Sequence, residues 1–228
     1  MHDKGLVVLS GGMDSATALW DAADIYRELE TISFDYGQRH RKELEYARRL
    51  ALRLHLHWER VDLTGVGKAI SSANSSLVNP SVEVPHGHYA AESMKQTVVP
   101  NRNMIMVSVA VARALAIGAS DVIVGVHTGD HAIYPDCRKS FFNPLRTAVL
   151  AGNDERISIK TPFIYMTKTQ IAEHGAYLKV PWELTWSCYE GGDIHCGECG
   201  TCQERREAFR DAGIEDPTAY KQYGVFAE

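Results

Sequence analysis

The chain has 228 residues, of which 45% are apolar and 23% charged, and its formal net charge is −5. This fits one domain of ordinary size with an appendage and argues against a protein held to nucleic acid by bulk charge, while leaving room for a local basic patch. The longest apolar-rich run, 105–117, contains Ser108 and Arg113 and is too short to span a bilayer.

In chain order, 5–9 is a short apolar run entering a glycine turn and predicts a buried parallel strand. Residues 14–26 follow at helical spacing, with Ala18, Leu19, Ala22 and Ile25 on one side. A second strand is predicted at 31–34, and an amphipathic helix at 39–54 with Leu44, Ala47, Ala51 and Leu54 on its inner stripe. Residues 57–61 predict a third strand, and 103–117 a largely buried helix closed by Gly118. A fourth strand is expected at 121–126 and a fifth at 156–161, with a helix at 167–177 capped by Thr167. Alternating strands and helices imply right-handed crossovers and a Rossmann-like parallel sheet covered on both faces. Ligands of such sheets bind beyond the carboxyl ends of the strands, here near Ser10–Ser15, Asp35–His40 and His127 onward.

Two stretches depart from the alternation. Residues 62–100 are rich in Ser, Asn, Pro and His and read as a lid-like insertion. The cysteine-rich tail sets the expected division into an α/β unit, 1–185, and a C-terminal metal-binding segment, 186–228. No basic-then-apolar leader precedes the first strand, and the cysteine count is five. An odd count without a leader favours metal or redox chemistry in a reducing cytoplasm over a disulfide framework.

Ser10-Gly11-Gly12-Met13-Asp14-Ser15 lies between a predicted strand and a predicted helix. Glycines let backbone approach an anion, the helix start supplies N–H donors, and the two serines add hydroxyls. Asp14 is an acceptor and suits Mg2+ or loop orientation. The pattern is not the Walker loop, because Gly67-Lys68 lacks the upstream glycine and the following Ser or Thr. It resembles the pyrophosphate-loop ATP enzymes, which split ATP at the α phosphate and pass AMP to a substrate oxygen.

Cys188, Cys196, Cys199 and Cys202 form C-x7-C-x2-C-x2-C, a spacing suited to one structural tetrahedral Zn2+ per chain. An iron–sulfur cluster is the alternative, without the following Cys-Pro that ferredoxin runs carry. His195 is a weaker substitute ligand. His57-Trp58-Glu59 matches the first half of a zinc deaminase signature, but no Pro precedes the later cysteine pair and His57 sits in a strand pattern.

Three further segments narrow the comparison: Asp35-Tyr36-Gly37-Gln38-Arg39-His40, Val99-Pro100-Asn101-Arg102-Asn103 and Tyr134-Pro135-Asp136-Cys137-Arg138. With the phosphate loop and the four cysteines, the chain resembles the 7-cyano-7-deazaguanine synthase family almost end to end. Asn101 stands where that family usually has Gly, and nothing is carried over to 64–96. The resemblance implies an adenine-nucleotide alpha-hydrolase-like fold and a homodimer. It also implies 7-carboxy-7-deazaguanine, ammonia and ATP as substrates, with no stable nucleic-acid partner and no membrane. ATP would lie on Leu9, Ser10, Gly11, Gly12, Met13, Asp14 and Ser15, with Ala16, Thr17, Ala18 and Leu19 behind them. Asp14, Lys168, Arg39 and His40 are the expected catalytic residues. Asp130, Tyr134, Asp136, Arg138 and Arg102 are the expected readers of the guanine-like substrate. Cys137 fits a nucleophile of lowered pKa or an inert packed thiol, and the burial habit of free cysteines favours the second. Trp182 and Trp186 read as packing. A tRNA thiolase-like enzyme, a nitrile or amide synthase acting on another acid, and a non-catalytic nucleotide sensor remain as rivals.

Overall fold

In the computed structural model, which describes residues 2–87, 92–127, 129 and 133–221, five parallel strands form one sheet. The strands are β1 (His2–Val8), β2 (Tyr26–Asp35), β3 (His57–Asp62), β4 (Asp121–Ile123) and β5 (Ser158–Lys160), in spatial order β3-β2-β1-β4-β5. The helices are α1 (Met13–Ile25), α2 (Glu43–Arg53), α3 (Thr64–Ala69), α4 (Arg102–Ala116), α5 (Lys139–Ala151), α6 (Lys168–Tyr177) and α7 (Gly200–Asp211).

The alternation of side chains along each strand builds two cores. Leu6 of β1 and Val122 of β4 point to one face, under Val107, Ala110, Val111 and Ala114 of α4 and Phe142 and Leu145 of α5. Their neighbours Val7 and Ile123 point to the other, under α1, α2, α6 and α7. Ala208 and Phe209 of α7 are part of that second core, so the cysteine-bearing tail is packed onto the sheet's own helices.

Most predicted elements are present, with shifted ends. β2 begins at Tyr26, directly after α1. β4 ends at Ile123, three residues before the predicted end, although Val124 still donates its N–H to Lys160 O at 2.9 Å. The insertion contains α3 and a 3-10 turn, Glu92–Thr97, which the sequence reading did not distinguish. Neither α5 nor α7 was expected. α5 contains Pro144, a residue that argues against a helix interior, and α7 opens on Gly200 within the cysteine run.

The sheet order reverses direction between β1 and β4. The connection from β1 runs to β2 on one side, and β5 lies on the other, which opens a crevice at the strand ends. Gly125 keeps that crevice tight: a Cβ there would lie 3.0 Å from the Asp14 backbone and 3.2 Å from Ser15 N. No helix among the described residues is long and apolar enough to cross a membrane.

Candidate active site

The loop between β1 and α1 lies in this crevice. Gly11 has φ +93°, and a Cβ would meet the carbonyl oxygen of Glu43 at 2.2 Å and the N of Ala47 at 2.9 Å. The sequence reading assigned both glycines to the approach of an anion. Gly11 is instead required by the backbone of α2, whereas at Gly12 the nearest atom to a Cβ is Ser10 Oγ at 3.5 Å. Ser15 Oγ donates to Gly12 O at 3.1 Å and accepts the N–H of Ser10 at 3.2 Å. With that proton committed, the Ser10 hydroxyl donates to Ser15 Oγ at 3.0 Å. The hydroxyls therefore hold the loop closed on itself. α1 starts without a side-chain cap, which leaves its first-turn N–H groups as donors for an anion.

Lys168 is delivered to this loop by the start of α6. Thr167 Oγ1 accepts the N–H of Gln170 at 3.2 Å and Gln170 Oε1 accepts that of Thr167 at 2.9 Å, so the predicted Thr167 cap is a full capping box. Lys168 Nζ then lies 2.7 Å from Asp14 Oδ2 and 3.3 Å from Glu204 Oε2. Burial raises the Asp14 pKa, but Lys168, His127 and Arg205 together hold it below the ordinary value of 3.8. Asp14 Oδ1 is buried and has no hydrogen-bond partner among the described residues.

The rest of the expected nucleotide stretch divides. Leu9 and Met13 line the cleft. Ala16, Thr17, Ala18 and Leu19 are fully buried behind it, and Thr17 Oγ1 donates back to Met13 O at 2.8 Å. Those four residues hold α1 against the core and do not line the cleft.

The same cleft is also lined by an aromatic wall of Tyr36, Tyr134 and Tyr189, with His40, Glu43, Arg102 and Cys137. The Tyr134 hydroxyl bonds Thr97 Oγ1 at 2.6 Å and lies 3.3 Å from the Tyr189 hydroxyl, and the Arg102 guanidinium lies 5.7 Å from the Tyr134 ring centre. His40 was expected to stabilise phosphate charge. Burial, Arg102 and Arg39 push its pKa down to about 3, so at neutral pH it is an uncharged imidazole. Asn101, the departure from glycine, holds φ +56°, and Asn tolerates this left-handed turn.

Three expected site residues, Arg39, Asp136 and Arg138, are not among those lining the cleft. The Arg39 guanidinium donates to Val82 O at 2.8 Å and Pro80 O at 3.2 Å, tying down the insertion outside the cleft lining. Asp136 Oδ2 accepts the N–H of Asn103 at 3.0 Å, which satisfies the start of α4, and the residue is not among those lining the cleft. Arg138 provides the backbone N-cap of α5 and is not part of the cleft wall. Asp130 lies outside the described residues. Cys137 lines the cleft as a buried thiol, 3.3 Å from Asn103 Nδ2.

Glu43, Gln38, Tyr189 and Glu204 line or support the cleft without having been singled out. Glu43 lies in the predicted helix 39–54 but off its apolar stripe, and Glu204 lies on α7, which was not expected. Gln38 sat inside the quoted hexapeptide, which was the only available signal.

The four Sγ atoms of Cys188, Cys196, Cys199 and Cys202 lie within 4.8 Å of one another, and all four residues are buried. Cys196 and Cys202 are 3.9 Å apart, near the edge of roughly 3.8 Å that a tetrahedron with 2.3 Å metal–sulfur bonds would have. Backbone N–H groups of Cys199 and Glu198 donate to Cys196 Sγ at 3.2 and 3.4 Å, an arrangement that favours a thiolate. The set therefore fits one metal ion. His195 is not a competing ligand: its Nε2 accepts the N–H of Ser187 at 3.1 Å and its ring stacks on buried Trp186 at 4.2 Å. Trp182 is likewise buried, edge-on to Phe209.

Residues 4–213 match the family model described as queuosine biosynthesis protein QueC. The chain is 48% identical over 221 residues to 7-cyano-7-deazaguanine synthase of Rhizobium rhizogenes, covering 96% of this chain and 92% of the relative. It is 49% identical to the protein of that name from Paracoccus denitrificans, covering 96% and 93%. Among solved structures, NMN synthetase of Francisella tularensis aligns with TM-score 0.50 at 16% identity, covering 92% of this chain and 77% of that one. A 4-thiouridine synthetase, solved with RNA and bound ATP, aligns with the same score and identity over 92% and 51%. At that identity these two structures agree in fold alone.

Proposed function

The chain belongs to the queuosine biosynthesis protein QueC family, and we propose that it converts 7-carboxy-7-deazaguanine and ammonia to 7-cyano-7-deazaguanine with two ATP. The carrying observation is a single cleft lined both by the phosphate loop and by an aromatic wall with Arg102 over Tyr134. Such a cleft suits bringing a nucleotide α phosphate to the carboxylate of a planar heterocycle.

The chemistry runs in two activations. A carboxylate oxygen attacks the α phosphorus and pyrophosphate leaves, giving an acyl adenylate. Ammonia attacks the carbonyl carbon, AMP leaves and a proton is lost, giving the amide. The amide oxygen is adenylated by the second ATP, and departure of AMP with the remaining N–H protons leaves the nitrile. This makes the protein a carbon–nitrogen ligase.

In this reading the first-turn N–H groups of α1 and the Ser10–Ser15 loop hold the phosphates. Lys168, 2.7 Å from Asp14, offsets charge on the transferring phosphoryl group. Asp14 Oδ1, buried and lacking a hydrogen bond, suits a Mg2+ ligand; the ion would offset phosphate charge when bound. Arg102 and Tyr134 hold the acid substrate. The four cysteines would hold one structural Zn2+, bracing residues 186–221 against α2 and the loop. We also propose a cytoplasmic homodimer.

Incubation with the acid, ammonium, Mg2+ and ATP, followed by mass spectrometry, tests this. Nitrile with AMP and pyrophosphate is the expected result. A folded, metal-loaded sample that yields none of the amide, nitrile or AMP would sink the reading. AMP without amide or nitrile would point to another acceptor.

A further inference from the structure

Glu43 is the first residue of α2, where a carboxylate would normally lie in water near the helix start. Here it turns into the cleft, with its side chain only 14% exposed. Its neighbour Gln38 is fully committed. Gln38 Oε1 accepts the N–H of Tyr36 at 3.0 Å, and its Nε2 donates to Phe34 O at 3.1 Å and to Glu43 Oε1 at 2.9 Å. That amide therefore fixes where Glu43 points. Glu43 Oε2 lies 3.4 Å from His40 Nε2, too long for a strong hydrogen bond, on a residue that lines the cleft. No Lys or Arg among the described residues makes an ion pair with it, although Arg102 lies near enough to act on it through space.

His40 supplies an independent observation. The residue is 4% exposed, lines the same cleft, and its Nδ1 has no hydrogen-bond partner among the described residues. If Nε2 carries the proton toward Glu43, Nδ1 is an open acceptor. A buried acceptor left open, as His40 Nδ1 would be, costs free energy until something donates to it. Tyr189, 5.1 Å from the His40 ring, puts aromatic surface beside it on which a planar ring can pack.

We propose that Glu43, oriented by Gln38 and flanked by His40, reads the N–H donor edge of the bound heterocycle and so determines which acid the enzyme accepts. The inference rests on the substrate proposed above. A 7-deazaguanine ring carries N1–H and a 2-amino group side by side, a pair of donors matching a carboxylate. Its 7-carboxylate lies across the ring, free to face the phosphate loop.

The test compares this acid with its analogue lacking the 2-amino group. The unaltered chain should favour the parent by ~100-fold in kcat/KM, since a site built for a donor rejects a ligand without it. Glu43→Gln should bring the ratio to within about threefold while KM for ATP stays within about twofold, since the exchange changes only the side chain and leaves the Glu43 carbonyl that packs on Gly11 in place. Calorimetric binding of both acids to the unaltered chain gives a readout that needs no variant. Equal affinity for the two acids overturns the inference, as does a Glu43→Gln protein that keeps the full preference. Either outcome leaves the proposed reaction standing. Failure of the unaltered chain to turn over the parent acid overturns both.

Discussion

Replacing Glu43 by Gln removes one buried carboxyl at nearly constant volume, and its effect on stability follows from linkage. Burial raises the Glu43 pKa from the ordinary 4.5 to about 7, with Gln38 and Arg102 pulling the other way. Below pH 4.5 the folded and unfolded chains both hold this proton, and the group is neutral toward folding. Between 4.5 and 7 the unfolded chain loses the proton while the folded chain keeps it, so stability falls as pH rises. Above 7 the loss is complete. A shift of about 2.5 units at roughly 1.36 kcal/mol each gives about 3.4 kcal/mol. His40 acts in the opposite sense: with its pKa lowered to about 3, its contribution is present above its ordinary 6.5 and lost in acid. Both proteins retain His40, so their difference reports Glu43. Urea unfolding of the metal-loaded chains at pH 4, 5, 6, 7 and 8 measures it. The Gln variant should gain about 3 kcal/mol on the unaltered chain across that range. A difference that stays constant with pH, or that falls, would refute the reasoning that this carboxyl is buried and uncompensated.

Asp14→Ala should lower kcat by roughly 10²–10³, because Lys168 and the loop lose their shared partner, while metal content stays unchanged; full turnover would remove Asp14 from the mechanism. Gly11→Ala should destabilise by about 2–4 kcal/mol in thermal or urea unfolding, since the residue has φ +93° and its Cβ would lie 2.2 Å from a carbonyl oxygen of α2. Cys202→Ser should leave the isolated protein with well under one zinc per chain by metal analysis and a lower Tm, as metal binding and folding are coupled; iron with acid-labile sulfide in the unaltered chain would replace zinc in the assignment. Arg39→Ala should speed proteolytic cleavage near residues 79–82, whose carbonyls it holds, with little change in KM for ATP.

The features readable from sequence were those carried by contiguous residues. The alternating strands and helices, the Ser10–Ser15 loop and the four clustered cysteines each have a local pattern, because the backbone geometry they demand spans only a few positions. Thr167 as a helix cap was legible for the same reason: its partner, Gln170, is three residues away. α5 was hidden by Pro144, and tertiary packing of Phe142 and Leu145 outweighs that local penalty.

The sequence by itself determined the fold class and the place of the phosphate loop, since hydrophobic period and turn chemistry are local properties. Only the tertiary structure decided what individual side chains in the motifs do. Arg39 and His40 are adjacent in one hexapeptide, yet one braces the insertion and the other lies uncharged in the cleft. Asp14, Lys168 and Glu204 come from α1, α6 and α7 and meet only when those helices pack on the same face. The charge state and partners of a buried group depend on what packing brings to it across the chain, and no spacing in the sequence encodes that.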